Sequence, residues 1–143
     1  KEYPVLGSSG VLGPKLKEGD RQVPEGIYKI ESLNPNSMFH LSLRLNYPNE
    51  FDLTHAKEEG RTHPGGDIMI HGSSVSIGCL AMGNEPIEEI FVLAAETGIE
   101  NIKVILSPVD FRKMDLPKTT HDLPEWTEGL YSDIQKELEQ IKP

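Results

Sequence analysis

The fold class this sequence predicts is a set of short strands with two or three helices, and not a doubly wound α/β fold. Three observations carry it. Residues 39–47 alternate apolar and polar with a period of two, which is the pattern of a half-buried strand. Shorter β-rich runs at 27–32, 68–71 and 102–106 are bounded by glycine, proline and asparagine. Helical signals do not alternate strictly with these runs, as parallel βαβ units would require. At 143 residues one domain is expected, with enough chain for a real core.

Taken in order, Lys1–Leu6 reads as the end of a strand whose partner lies upstream, and Gly7–Asp20 as a glycine-rich loop without either phosphate-loop spacing. Pro24-Glu25-Gly26 is a turn before the strand 27–32, and Asn34-Pro35-Asn36-Ser37 is a second turn signal. In the alternating run, Phe39, Leu41, Leu43, Leu45 and Tyr47 share the face expected to meet the core. His40, Ser42, Arg44 and Asn46 share the other, which faces either solvent or a substrate cleft. A short helix over Asn49–Gly60 has Asn49 or Asp52 as its cap and Gly60 as its stop. Asn84 is the expected N-cap of the next helix, with Glu85, Glu88 and Glu89 suiting its positive end and Gly98 closing it. After the strand 102–106, Trp126, Leu130, Ile134, Leu138 and Ile141 form one helical stripe, expected to pack on the domain surface.

The net charge of −9 argues against nucleic acid or an anionic membrane as the main partner. No apolar run reaches the length of a transmembrane segment, and no secretory leader is visible in the chain. Oligomeric state has no signature. A single cysteine rules out an internal disulfide, and in an exported protein it flags a reactive thiol.

That cysteine lies in the stretch with most chemical content, Ile68–Met82. His71 ends a short apolar run, and Cys79 follows eight positions later after small residues and two glycines, Gly72 and Gly78. A strand that ends in histidine and returns through a small-residue loop brings imidazole and thiol together. The expected result is an accessible thiol with a depressed pKa, ready to act as a nucleophile. The plain alternative is a buried cysteine serving as a small apolar residue. Small side chains around Cys79 argue for the reactive reading. A metal site of Cys79, His71, His63 or His40 has no supporting spacing, so neither metal nor cofactor is expected.

His71-Gly72 followed by Ser76-Ile77-Gly78-Cys79 resembles the active-site signature of the L,D-transpeptidase (YkuD-type) catalytic domain, written HG, a spacer, then S/T-H-G-C. Gly13-Pro14-Lys15, Glu18-Gly19-Asp20 and Pro24-Glu25-Gly26 resemble the family's opening segment, so the resemblance spans 1–106. Two features depart from the common pattern. Ile77 stands where histidine is usual, and Leu80-Ala81 follows the cysteine. Both, with the short spacer, are similar to a murein-directed subgroup whose motif reads SxGC.

The resemblance implies a mainly β, sandwich-like core with peripheral α-helices: a catalytic domain over 1–110 and a C-terminal extension over 111–143 whose amphipathic helix packs on it. It implies the cell envelope as location and peptidoglycan stem peptides as substrate, with the acyl group on meso-diaminopimelate. In that setting Cys79 is the nucleophile and His71 the base. The Gly72 carbonyl is the family's usual partner for the other imidazole nitrogen, and backbone N–H groups at Gly78-Cys79 are natural oxyanion donors. Ser76 belongs to the motif, and Ile77 can offer only its backbone. Arg44, His40 and Arg61, with Lys15 and Arg112 behind them, are the candidates for substrate carboxylates. The competing class is a non-catalytic module that holds cell-wall peptides, which has no need of a thiol.

Overall fold

The computed structural model describes residues 1–119 and 121–141, so residue 120 and the last two of the expected extension lie outside the described residues. Its strands are β1 (Gly26–Ser37), β2 (His40–Leu45), β3 (Met69–His71), β4 (Leu80–Ala81) and β5 (Lys103–Leu106). They hydrogen-bond in the order β4-β3-β2-β1-β5. All pairings are antiparallel except β3 with β4. Around this sheet core lie three helices: α1 (Glu50–Glu58), α2 (Asn84–Thr97) and α3 (Thr127–Gln140). This is a mainly β domain with peripheral helices.

Alternation in β2 explains the core. Leu43 and Leu45 are fully buried and join Tyr28, Ile30, Ile68 and Ile87 in the main cluster, with α2 laid over them. Each such aliphatic side chain stabilises the fold by about 1.5–3 kcal/mol on burial. Phe39, expected on the same face, instead lies in the turn before β2 and is partly exposed, because His40 takes a positive φ of 76° and breaks the alternation. Across β2 and β3, Ser42 pairs with His71, Leu43 with Ile70 and Arg44 with Met69.

Three sequence expectations change. The turn signal at Asn34–Ser37 is part of β1, and the chain reverses at Met38-Phe39; Pro35 falls in a register shift between Asn34 and Ser37, where a missing N–H costs no ladder bond. Lys1–Leu6 forms no strand; pairing begins at Gly7, and its partner is Ala81, downstream instead of upstream. The cap of α2 is Gly83, while the Asn84 side chain is used elsewhere, accepting from the Ser73 N–H at 2.9 Å. For α1 the open choice resolves to Asn49, with Asp52 returning the bond in a capping box.

The helix α3 buries Leu130, Tyr131 and Ile134 against a second cluster that includes Ile27 of β1 and Ile105 of β5. No helix among the described residues is long and apolar enough to cross a membrane.

Candidate active site

His71 closes β3 and is 2 % exposed, so it is more deeply buried than the end of a strand suggests. Its Nδ1 is 2.5 Å from the Gly72 carbonyl oxygen. That carbonyl can only accept, so the proton sits on Nδ1 and Nε2 is left as the acceptor. The Ser76 hydroxyl lies 3.3 Å from Nε2 and donates to it. Phe39 stacks on the imidazole with ring centroids 4.5 Å apart. At Gly72 there is no room for a side chain: a Cβ would come within 2.5 Å of the Phe39 carbonyl oxygen and 2.9 Å of Asn84 Oδ1.

Cys79 directly precedes β4, which runs parallel beside β3 in the register Ile70 with Leu80 and His71 with Ala81. The cysteine therefore sits on the strand next to that of His71, beside Met69. Its sulfur accepts from the Met69 N–H at 3.4 Å and donates to the Asp67 carbonyl at 3.4 Å. Thiol and imidazole are on neighbouring strands but each is hydrogen-bonded to another group. Burial pushes the Cys79 thiol up from its ordinary pKa. The Met69 N–H and the charge of Lys15 act downward, and Asp67 adds to the rise. The depressed thiol expected from the sequence is thus not what the surroundings produce, since the imidazolium contact that would lower it is not made.

The loop between them is held from the N-terminal segment. The Gly78 N–H donates to Ser9 Oγ at 2.7 Å, and Ser9 Oγ donates to the Arg21 carbonyl. Of the backbone donors around Cys79, that of Gly78 is therefore engaged. Ile77 is 67 % exposed, and Val75 beside it is exposed too. A groove of about 590 Å³ is lined by Ser9, Val11, Gln22, Glu25 and Leu80 among others; Cys79 itself is not part of its lining.

The candidate substrate contacts separate. Arg44 lies two pairs along the sheet from the Ser42–His71 pair, bound to Asp67 at 2.6 Å and to Glu31 at 3.0 Å. His40 approaches Gly72 with its Cβ, while its Nε2 meets Glu88 of α2 at 2.6 Å. Arg61 is occupied at the end of α1 by Glu59 and by the Leu16 carbonyl, and among the described residues it touches neither Cys79 nor His71. Lys15 is buried against Asp20 and the Lys17 carbonyl. Arg112 is tied to Asp110. No group of three metal-ligating side chains occurs among the described residues. Sequence reasoning missed Phe39, Asp67, Met69, Asn84 and Ser9 as neighbours of the site. Only Phe39, directly before the polar run, carried any signal.

A buried histidine with its tautomer fixed by the next carbonyl, and a cysteine on the adjoining strand, define a thiol-imidazole site on a β scaffold. The chain belongs to the L,D-transpeptidase catalytic domain family (YkuD), whose profile matches residues 2–106. It is similar to the protein named "Putative L,D-transpeptidase YafK" of Escherichia coli K12, at 36 % identity over 146 residues covering 99 % of this chain and 53 % of that protein. The same figures hold for the protein of that name in Escherichia coli O157:H7. The chain thus spans about half the length of these relatives. Among solved structures, it is similar to the helical cell shape determining protein Pgp2 of Campylobacter jejuni, with TM-score 0.47 and 28 % identity over 60 % of this chain and 32 % of that one. Bd1075 of Bdellovibrio bacteriovorus gives TM-score 0.47 and 22 % identity over 88 % of this chain and 41 % of that one.

Proposed function

We propose that this domain is a cysteine-dependent acyl transferase or hydrolase that acts in the cell envelope on peptidoglycan stem peptides through a thioester on Cys79. The observation that carries the reading is the His71 tautomer: Nδ1–H is committed to Gly72, so Nε2, which takes only the long Ser76 hydroxyl bond, carries the basic lone pair on the strand beside the thiol. In the reaction, Sγ leaves the Asp67 carbonyl and gives its proton to Nε2 as it attacks the substrate amide carbon. His71 returns that proton to the departing amine when the C–N bond breaks. An amine or water then attacks the thioester, and the thiolate leaves. Negative charge on the carbonyl oxygen is met by the Cys79 backbone N–H, and by that of Gly78 once it releases Ser9 Oγ. Ile77 faces solvent and supplies no side-chain donor.

Substrate carboxylates fit best at Arg44, with His40 at the opposite side of His71. The surroundings of Cys79 hold few fixed polar groups for a bulky acceptor, so hydrolysis or exchange at a diaminopimelate-linked amide is expected at least as often as cross-linking. A binding-only module is the second reading, and what favours it is that thiol and imidazole are not bonded to each other. Incubation with purified cell-wall fragments, followed by mass spectrometry, separates the two. We expect trimmed, exchanged or cross-linked fragments with the native protein, none with Cys79→Ser, and turnover lower by about 10²–10⁴-fold with His71→Ala. Fragments retained unchanged by native protein mean binding alone. Products from Cys79→Ser mean another nucleophile.

A further inference from the structure

We propose that Arg44 is a carboxylate seat beside Cys79, and that Asp67 is its internal occupant, competing with the carboxylate of the incoming substrate. The inference rests on the reading of Cys79 as the nucleophile, and it names what selects the substrate there.

Three contacts place the seat. Arg44 Nη1 is 2.6 Å from Asp67 Oδ1. The Asp67 main-chain carbonyl takes the thiol proton of Cys79. Arg44 also stands opposite Met69 in the β2–β3 ladder, and the Met69 N–H donates to the same sulfur. The guanidinium is therefore held one residue's reach from the nucleophile, on the strand face that carries His71.

Its present partner is suited to leave. The Asp67 side chain is 74 % exposed and that of Arg44 42 %, and an exposed pair of this kind is weakly held. Asp67 has a positive φ of 55°, a conformation that costs a non-glycine residue, and Gly65-Gly66 before it leave the segment free to yield. Arg44 gives its Nε to Glu31 and a single Nη contact to Asp67, whereas a guanidinium prefers a two-pronged carboxylate. The other cations near the site are less available. Lys15 is buried on Asp20, and Arg61 is spent on Glu59 and Leu16.

The test uses two reagents of nearly equal size that differ by one carboxylate. Iodoacetamide and iodoacetate both need the thiolate and both form an S–C bond as iodide leaves. Their rate ratio on one protein therefore cancels the thiolate fraction. We expect Asp67→Asn to raise the iodoacetate-to-iodoacetamide ratio by a factor on the order of five, as the Nη arm of Arg44, still paired with Glu31 through Nε, takes up the reagent's carboxylate at about 7 Å from the sulfur in a medium between protein and water. In an Arg44→Gln background the same Asp67→Asn change should leave the ratio within about twofold, because the seat itself is gone. Arg44→Lys should keep part of the rise. Neither side chain is buried, Asp67 being 74 % and Arg44 42 % exposed, so the variants fold, and no turnover is needed for the readout. An equal rise with and without Arg44 means Asp67 acts only as a nearby charge and overturns the proposal. So does no rise at all. Neither result bears on whether Cys79 forms a thioester, which the cell-wall assay decides separately.

Discussion

At the scale of single residues the site turns on what the Cys79 sulfur touches. Its donor is a main-chain N–H and its acceptor a main-chain carbonyl, inside a partly buried strand edge. Burial favours the neutral thiol, and the pKa moves up. A group that loses its proton less readily when folded contributes stability that is full below its unfolded pKa and lost as pH rises through the folded one. The expected outcome is an iodoacetamide rate profile for the free protein with its midpoint above the ordinary ~8.5. A midpoint at or below that value would mean that His71 already reaches the sulfur without substrate. That His71 and Cys79 come to neighbouring strands was legible in the sequence, because their spacing fitted a strand and a return loop. Asp67 and Met69 were not. Each acts on the sulfur through its backbone, and a main-chain group leaves no trace in residue identity.

At the scale of elements, periodicity located β2 and α3, β-rich runs between turn formers located β3 and β5, and cap and stop residues marked α1 and α2. The ends were harder to read. Pro35 signals a turn, yet it fits inside β1 at an irregularity that the sequence does not show. Asn84 has the right chemistry for a cap, yet the stronger demand is the Ser73 N–H of the loop between β3 and β4. Where local and tertiary needs coincide, the local rule holds, and Asn49 is the case. Its Oδ1 accepts from the Asp52 N–H and its Nδ2 donates to the Ile27 carbonyl of β1, so one side chain both caps α1 and fastens it to the sheet. Asn49→Ala should therefore cost about 1–2 kcal/mol, the upper part of the range for lost caps. Asn49→Ser should recover the cap but not the link to β1. Urea midpoints at constant m-value measure both. A loss within about 0.5 kcal/mol for Asn49→Ala would mean that solvent replaces both bonds.

At the scale of the whole molecule, α3 and the loop before β1 are joined by a buried carboxylate. The Tyr131 hydroxyl donates to Glu25 Oε2 at 2.6 Å, and the Gly13 N–H donates to Oε1 at 2.8 Å. The Gly13 carbonyl then accepts from the Gln22 side chain, which also accepts from the Val11 N–H. These contacts shape the segment whose Ser9 holds the Gly78 N–H. The C-terminal stripe that reads as a surface helix is thus connected, through the side chains of Tyr131, Glu25, Gln22 and Ser9 and the main chain at Gly13 and Val11, to the loop before Cys79. Such a connection was not legible, since it joins residues more than a hundred positions apart and depends on which way Tyr131 points.

Glu25 is 7 % exposed, and burial raises its carboxyl pKa while Tyr131 and the Gly13 N–H pull it back. With the folded pKa above the unfolded ~4.3, its contribution is most favourable below that unfolded value and is lost as pH rises through the folded one. Tyr131→Phe removes one of the two donors that offset burial, leaves the packing of the ring, and raises the Glu25 pKa further. The expected cost is about 1–3 kcal/mol at pH 7, the range for a buried acceptor deprived of its partner. At pH 4 the carboxyl is largely protonated and can turn to water or to Gly13 at less cost, so the deficit should shrink. Urea unfolding of native protein and Tyr131→Phe at the two pH values gives the comparison directly. A deficit equal at both would show that Glu25 holds its proton across the whole range. The Tyr131 bond would then be an ordinary neutral one.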